Sequence, residues 1–202
     1  MKTRAILFAF LGIMAALILA AILFPNQLLR LLDRPVLYPH ALFVHVVAAT
    51  LFFGNAVVGI LWEARALASG QAAAILHTYR TVAWLDARLS SPLIVISLIA
   101  GIMLSVIIGD LWQIGWLSLS FLLFVFSGVV WVASDIPTQA RIRRLMAHVA
   151  PEAETIPENL MRLLRMRLWI SIAGVLPLVV VFVLMIYKPD ILPVAAWFGG
   201  AG

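Results

Sequence analysis

From Pro39 to Trp62 the chain reads PHALFVHVVAATLFFGNAVVGILW, with no acidic residue, lysine or arginine in it. As a helix rising 1.5 Å per residue, this run is about 36 Å long, enough to cross the hydrocarbon core of a bilayer. A helix apolar on every face is either enclosed by protein or surrounded by lipid. Composition decides between the two: 64% of the residues are hydrophobic and 11% are charged, against roughly 45–50% apolar and about 25% charged in soluble domains. The chain belongs in a membrane.

Comparable runs recur, and the expected fold class is all-α, a polytopic transmembrane helix bundle forming a single domain over residues 1–202. Five spans are predicted, at about 5–24, 39–62, 92–109, 114–134 and 168–187. The first follows Lys2 and Arg4 and is longer than the roughly 7–15-residue core of a cleaved signal. Asn26 to Pro39 sets leucines against Arg30, Asp33 and Arg34, as an interfacial turn would. Two amphipathic segments are expected on one side of the membrane, at about 72–88 and 137–167. The first reads as a surface helix feeding the third span, with Ser91 as a cap and Pro92 in the first turn. A tight turn at Gly109, Asp110 and Leu111 makes spans three and four an antiparallel hairpin. Pro151 and Pro157 split the second amphipathic segment, and Pro177 should kink the fifth span. The tail with Trp197 and Phe198 reads as interfacial.

Five spans put eleven of the fourteen Lys and Arg residues on one side and leave Arg30, Arg34 and Lys188 on the other. The positive-inside bias then orients the N-terminus inside and the C-terminus outside, as expected of a multi-pass protein of a bacterial inner membrane. The basic belt faces anionic lipid and accounts for the net charge of +5 without nucleic acid. The expected partners are the bilayer, a second copy of the chain or another membrane protein. With no cysteine, disulfides, thiolate metal sites, iron–sulfur clusters and Cys nucleophiles are excluded. No Ser-His-Asp set, H-E-x-x-H motif or phosphate-binding loop can be assembled, and no metal site is predicted.

The polar residues inside the spans carry the remaining information. Counting depth along ideal helices puts His45 level with Met103 and Ser105 on span three and with Ser118 and Ser120 on span four. Asn55 falls level with Ser97 and Ser127. Small polar side chains at one depth commonly hydrogen-bond across helices, so Asn55, Ser97, Ser118, Ser120 and Ser127 read as polar packing. For His45 three readings stand: a hydrogen bond to Ser118 or Ser120, an axial ligand of haem b with Met103 as the second ligand, or a contact to a proton or substrate. Glu63, Asp86 and Asp135 gather at one membrane edge with Arg65, Arg80 and Arg88, and a salt-bridge collar is expected there. Tryptophans near the span ends fit an aromatic belt.

Several patterns together resemble an uncharacterised bacterial family of predicted integral membrane proteins. They are H-x8-G-N at His45, Gly54 and Asn55, R-T-V-x-x-x-D from Arg80 to Asp86, and L-F-x-x-S-G-x-x-W from Leu123 to Trp131. I-P-x-Q-x-R from Ile136 to Arg141 and L-M-x-x-K-P from Leu184 to Pro189 complete the set. The resemblance covers about Pro39 to Pro189 and makes the first span an addition to a four-helix core. It implies a polytopic protein with no assigned activity. More distantly, His45, Ala49 and Gly54 are similar to a helix of copper-resistance membrane proteins and of membrane haem-dependent protoporphyrinogen oxidases, where the matching histidine is implicated with haem. Two functions follow as expectations: a non-enzymatic bundle acting as scaffold or partner subunit, or a haem b-binding redox protein using His45.

Overall fold

The structure is a computed structural model. It describes residues 2–32, 34, 36–109, 111–149, 155–194 and 196, with side chains from residue 11 onward except that of residue 25. The expectations for Asp33, Asp110, Pro151, Trp197 and Phe198 fall outside the described residues. Helices account for nearly all of the rest: α1 (Lys2–Leu23), α2 (Pro25–Leu32), α3 (Leu37–Ser69), α4 (Ala72–Leu85), α5 (Ser91–Ile108), α6 (Gly115–Val130), α7 (Ile136–Met146) and α8 (Glu158–Tyr187). Among the described residues, four continuous helical rods are long and apolar enough to cross a membrane: Leu37–Ser69, Ala72–Ile108, Gly115–Met146 and Glu158–Tyr187. A fifth candidate is the pair Leu11–Leu23 and Asn26–Leu32, set at 98° to each other.

The rods outrun their apolar stretches. Helix α3 continues past Trp62 to Gly70, which closes it in the left-handed conformation (φ 67°) that glycine adopts without steric cost. Only Gly70 and Gln71 separate it from α4, so the two form an antiparallel hairpin. Helix α4 is not a separate surface helix. It passes into α5 through a π-helical turn, Asp86–Ser90, and α6 passes into α7 through a second one, Trp131–Asp135. In each, a backbone N–H reaches five residues back, Ser91 to Asp86 and Ile136 to Trp131. The cause is readable: Pro92 and Pro137 follow one residue later, and a proline inside a helix cannot donate to the carbonyl four residues back and clashes with it. Widening the turn relieves the clash. The hydroxyls of Ser91 and Thr138 add side-chain hydrogen bonds at these turns, to the carbonyls of Asp86 (2.8 Å) and Ser134 (2.7 Å).

Two kinds of packing follow. At the end rich in arginine, Ala66, Ile75, Leu76, Tyr79, Ile142, Met146, Leu160, Leu163 and Leu164 form a buried apolar core from α3, α4, α7 and α8, as expected where water drives burial. Along the apolar lengths, side chains such as Phe43, Leu61, Trp169 and Ile186 point outward, since lipid receives them at no cost. Beyond α8 the chain turns at Lys188, in the left-handed region (φ 45°), and lies across Gly115. A Cβ there would fall 2.0 Å from the Ile191 carbonyl oxygen.

Candidate functional site

Where the two kinds of packing meet, Arg167 is buried, with 3% of its surface exposed. It belongs to the amphipathic start of α8, where Leu160, Leu163, Leu164 and Arg167 follow one another at spacings of three, one and three and so share one face. That face is the packed one. The guanidinium is therefore carried inside and meets a carboxylate from each of the other three rods. Nη1 donates to Glu63 Oε1, Nη2 to Asp86 Oδ2 at 3.2 Å, and Nε to Asp135 Oδ1 at 3.2 Å. Its flat face lies over the Tyr79 ring, 5.5 Å from the centroid, a cation–π contact. The Tyr79 hydroxyl donates to the Leu164 carbonyl at 3.0 Å, and Gln139 donates to the second oxygen of Asp135 at 2.6 Å.

The π-helical turns position two of these acids, since Asp86 opens one and Asp135 closes the other. Glu63 is 1% exposed, and its Oε2 meets no hydrogen-bond partner among the described residues. Three carboxyl groups face one guanidinium, so its single positive charge cannot match all three in ionised form, and buried charge is tolerated only when paired and hydrogen-bonded.

This cluster floors a cavity of about 400 Å³. One wall is a face of α8, where Arg167, Ser171, Gly174 and Leu178 rise at spacings of four, three and four; the others come from α1, α3 and α6 with the second π-helical turn, and from Val82, Ser90 and Ile94 of the α4–α5 rod. Apart from the floor and three serines (Ser90, Ser127 and Ser171), the lining is hydrocarbon, glycine, the Met14 side chain and the Trp131 ring. Ser127 is 7% exposed, and its Oγ has no partner among the described residues. The volume lies within the roughly 300–1,000 Å³ of small-molecule sites.

The expected collar is therefore corrected in its cation. The acids do gather, but around Arg167, whereas Arg65, Arg80 and Arg88 are exposed. The depth count is corrected as well. His45 Nδ1 lies 2.8 Å from the Ser97 carbonyl oxygen and 3.4 Å from its hydroxyl, and Asn55 donates to Ser90 Oγ at 2.8 Å. Relative to expectation α5 is displaced by about two turns, because the helix does not begin at Pro92. Ser118 donates to the Gly115 carbonyl and Ser120 to that of Trp116, so both hydroxyls are satisfied within α6, while the Val194 N–H reaches Ser118 at 3.5 Å.

Because a carbonyl only accepts, His45 carries its proton on Nδ1 and leaves the Nε2 lone pair free, as in a metal-ligating histidine. The space beside it does not fit haem. The ring is pressed against Gly101, where a Cβ would lie 2.9 Å from Cε1, and the adjoining cavity is about 90 Å³. Met103 does not line that cavity; two residues beyond Gly101, it faces another side of α5. Among the described residues no group of three or more His, Asp or Glu side chains is arranged to hold a metal ion.

Helical rods of membrane length, joined through a buried ionic cluster, define an all-α integral membrane protein that crosses the bilayer several times. The chain belongs to the family described as "Predicted integral membrane protein (DUF2269)", whose profile matches residues 40–189, a stretch containing His45 and all four members of the cluster. No curated protein and no solved structure matches the chain.

Proposed function

We propose that this protein is a non-enzymatic, membrane-embedded binding subunit that holds a lipophilic small molecule in the cavity enclosed by α1, α3, α6, α8 and the α4–α5 rod. The observation that carries this reading is the cavity itself, about 400 Å³ of largely hydrocarbon lining that ends on a polar floor. Apolar clefts with a few convergent polar groups are the usual form of ligand sites, and those in helical bundles lie between helices. Binding rather than turnover is favoured because the acids in reach are held by Arg167. Their first role is to join four helices. The basic end is oriented toward the cytoplasm of a bacterial inner membrane, since exposed arginines from α3, α4, α7 and α8 crowd that end. Anionic headgroups would lie against them.

The test uses the protein in nanodiscs and a brominated long-chain alcohol, a heavy-atom quencher. Saturable quenching is expected from Trp131, which lines the cavity, and is expected to vanish in Trp131→Phe. Gly174→Leu should abolish it too. A Cβ at position 174 meets only ordinary contact, 3.7 Å from Val130, so the larger side chain fills the cavity without displacing backbone. Quenching that stays linear with concentration, or is unchanged by Gly174→Leu, would refute the reading.

A further inference from the structure

We infer that the molecule bound above Arg167 is an amphiphile with a positively charged, N–H-bearing head, a long-chain primary ammonium in chemical class. This rests on the cavity's being a binding site, and it adds the sign and hydrogen-bonding character of the ligand's head. The floor presents three carboxylates and a single guanidinium. Three of the five N–H groups of Arg167 are directed at acids, and its single positive charge is shared among three carboxyl groups, so it is the charge of the floor that disfavours an anionic ligand. Glu63 Oε2, buried and unpartnered, is an acceptor awaiting a donor, and a buried acceptor left unsatisfied is costly. An ammonium head supplies both missing elements, an N–H for that oxygen and positive charge for the cluster. A quaternary ammonium supplies charge without the hydrogen bond. A fatty acid would add a fourth carboxylate to the floor.

A separate observation supports an occupant of the cavity. Ser127 Oγ, also buried and unpartnered, lines the cavity wall on α6 away from the floor. It is a second polar contact for an occupant that reaches from the floor along the wall. The apolar wall of α8 above Arg167, made by Gly174 and Leu178, receives the chain of such a molecule. Charged groups at membrane depth characteristically mark ligand pathways, and the position of this cluster, at the end of the apolar lengths, lets a charged head stay near the interface while its tail lies among the helices.

Saturable binding of tritiated dodecylamine to the protein in phosphatidylcholine nanodiscs tests the inference, with unlabelled dodecylamine, dodecanol and dodecanoate as competitors. The amine is expected to displace the label at least tenfold more effectively than the alcohol, and the acid least of all. In Glu63→Gln the preference for amine over alcohol should fall to near unity while the alcohol still competes. Gly174→Leu should remove saturable binding of all three. Equal competition by amine and alcohol in the unaltered protein would overturn the charged head and leave the cavity reading intact. Absence of any displaceable binding would overturn both. The decisive comparison is made on the unaltered chain, so it stands even if Glu63→Gln does not fold.

Discussion

Replacing Arg167 with methionine removes the one cation from a site where Glu63 and Asp135 are 1% and 4% exposed. Methionine replaces the aliphatic stem of arginine but not the guanidinium, so the packing of the stem is kept and most of the loss is electrostatic. Three charge-assisted hydrogen bonds disappear, each worth about 1.5–3 kcal/mol. They do not add in full, because the orphaned carboxylates can take up protons. The measured cost of removing one partner from a buried ion pair, about 3–5 kcal/mol, is therefore the expected loss. Against a total stability of about 5–15 kcal/mol for a typical protein, this is severe. Arg165→Met, two residues away and exposed, should change stability by no more than about 0.5 kcal/mol. Arg167→Lys keeps the charge but cannot direct N–H groups at three acids, so it should fall between the two. Unfolding by SDS in mixed micelles, followed by circular dichroism, measures all three. The double variant Arg167→Met with Glu63→Met should recover part of the loss, because one uncompensated charge goes with its partner. Equal stability of Arg167→Met and Arg165→Met would refute the electrostatic account of the junction.

Further outcomes follow from single contacts. Gly101→Ala brings a Cβ to 2.9 Å from His45 Cε1, and the strain or ring displacement should cost about 1–3 kcal/mol in the same unfolding assay; a neutral result would contradict the close packing of α3 on α5. Gly115→Ala cannot be accommodated beneath Ile191, so the segment after Lys188 should lift away and become sensitive to limited proteolysis, whereas Gly54→Ala, with nothing near its Cβ, should not. Protein purified from haem-replete cells should show no Soret band, since the space beside His45 does not take a porphyrin. A band lost in His45→Ala would overturn that argument.

The membrane-spanning runs were legible because lipid exposure leaves a coarse signature, length and near-absence of charge. Helix ends were less so. Glu63, Asp86 and Asp135 look like the places where spans stop, but hydrogen-bonded helix continues through each of them, and the depth comparison inherited that error. This is why Asn55 meets Ser90 and His45 meets Ser97. The three acids are legible as a group from their shared edge, but their cation is not, because Arg167 sits among Arg162 and Arg165 in what reads as a basic belt. The available signal was register: Arg167 falls on the stripe of Leu160, Leu163 and Leu164, and Arg162 and Arg165 do not. The π-helical turns also had a sign in the sequence, an aspartate close before a proline at Asp86 to Pro92 and again at Asp135 to Pro137. The cavity had none, because it depends on how α1 lies against α3, α6 and α8, and apolar faces in lipid do not encode their partners by pattern alone.

The chain contains no cysteine, so one introduced thiol reports on one place. Ser127→Cys sets that thiol in the cavity wall, and Phe126→Cys, at a position 54% exposed on the outside of the bundle, is its neighbour in sequence. In nanodiscs treated with a lipid-soluble maleimide, saturating dodecylamine should slow labelling of Ser127→Cys at least fivefold and leave that of Phe126→Cys unchanged. Equal labelling rates for Ser127→Cys with and without the amine would contradict occupancy of the cavity by a cationic amphiphile.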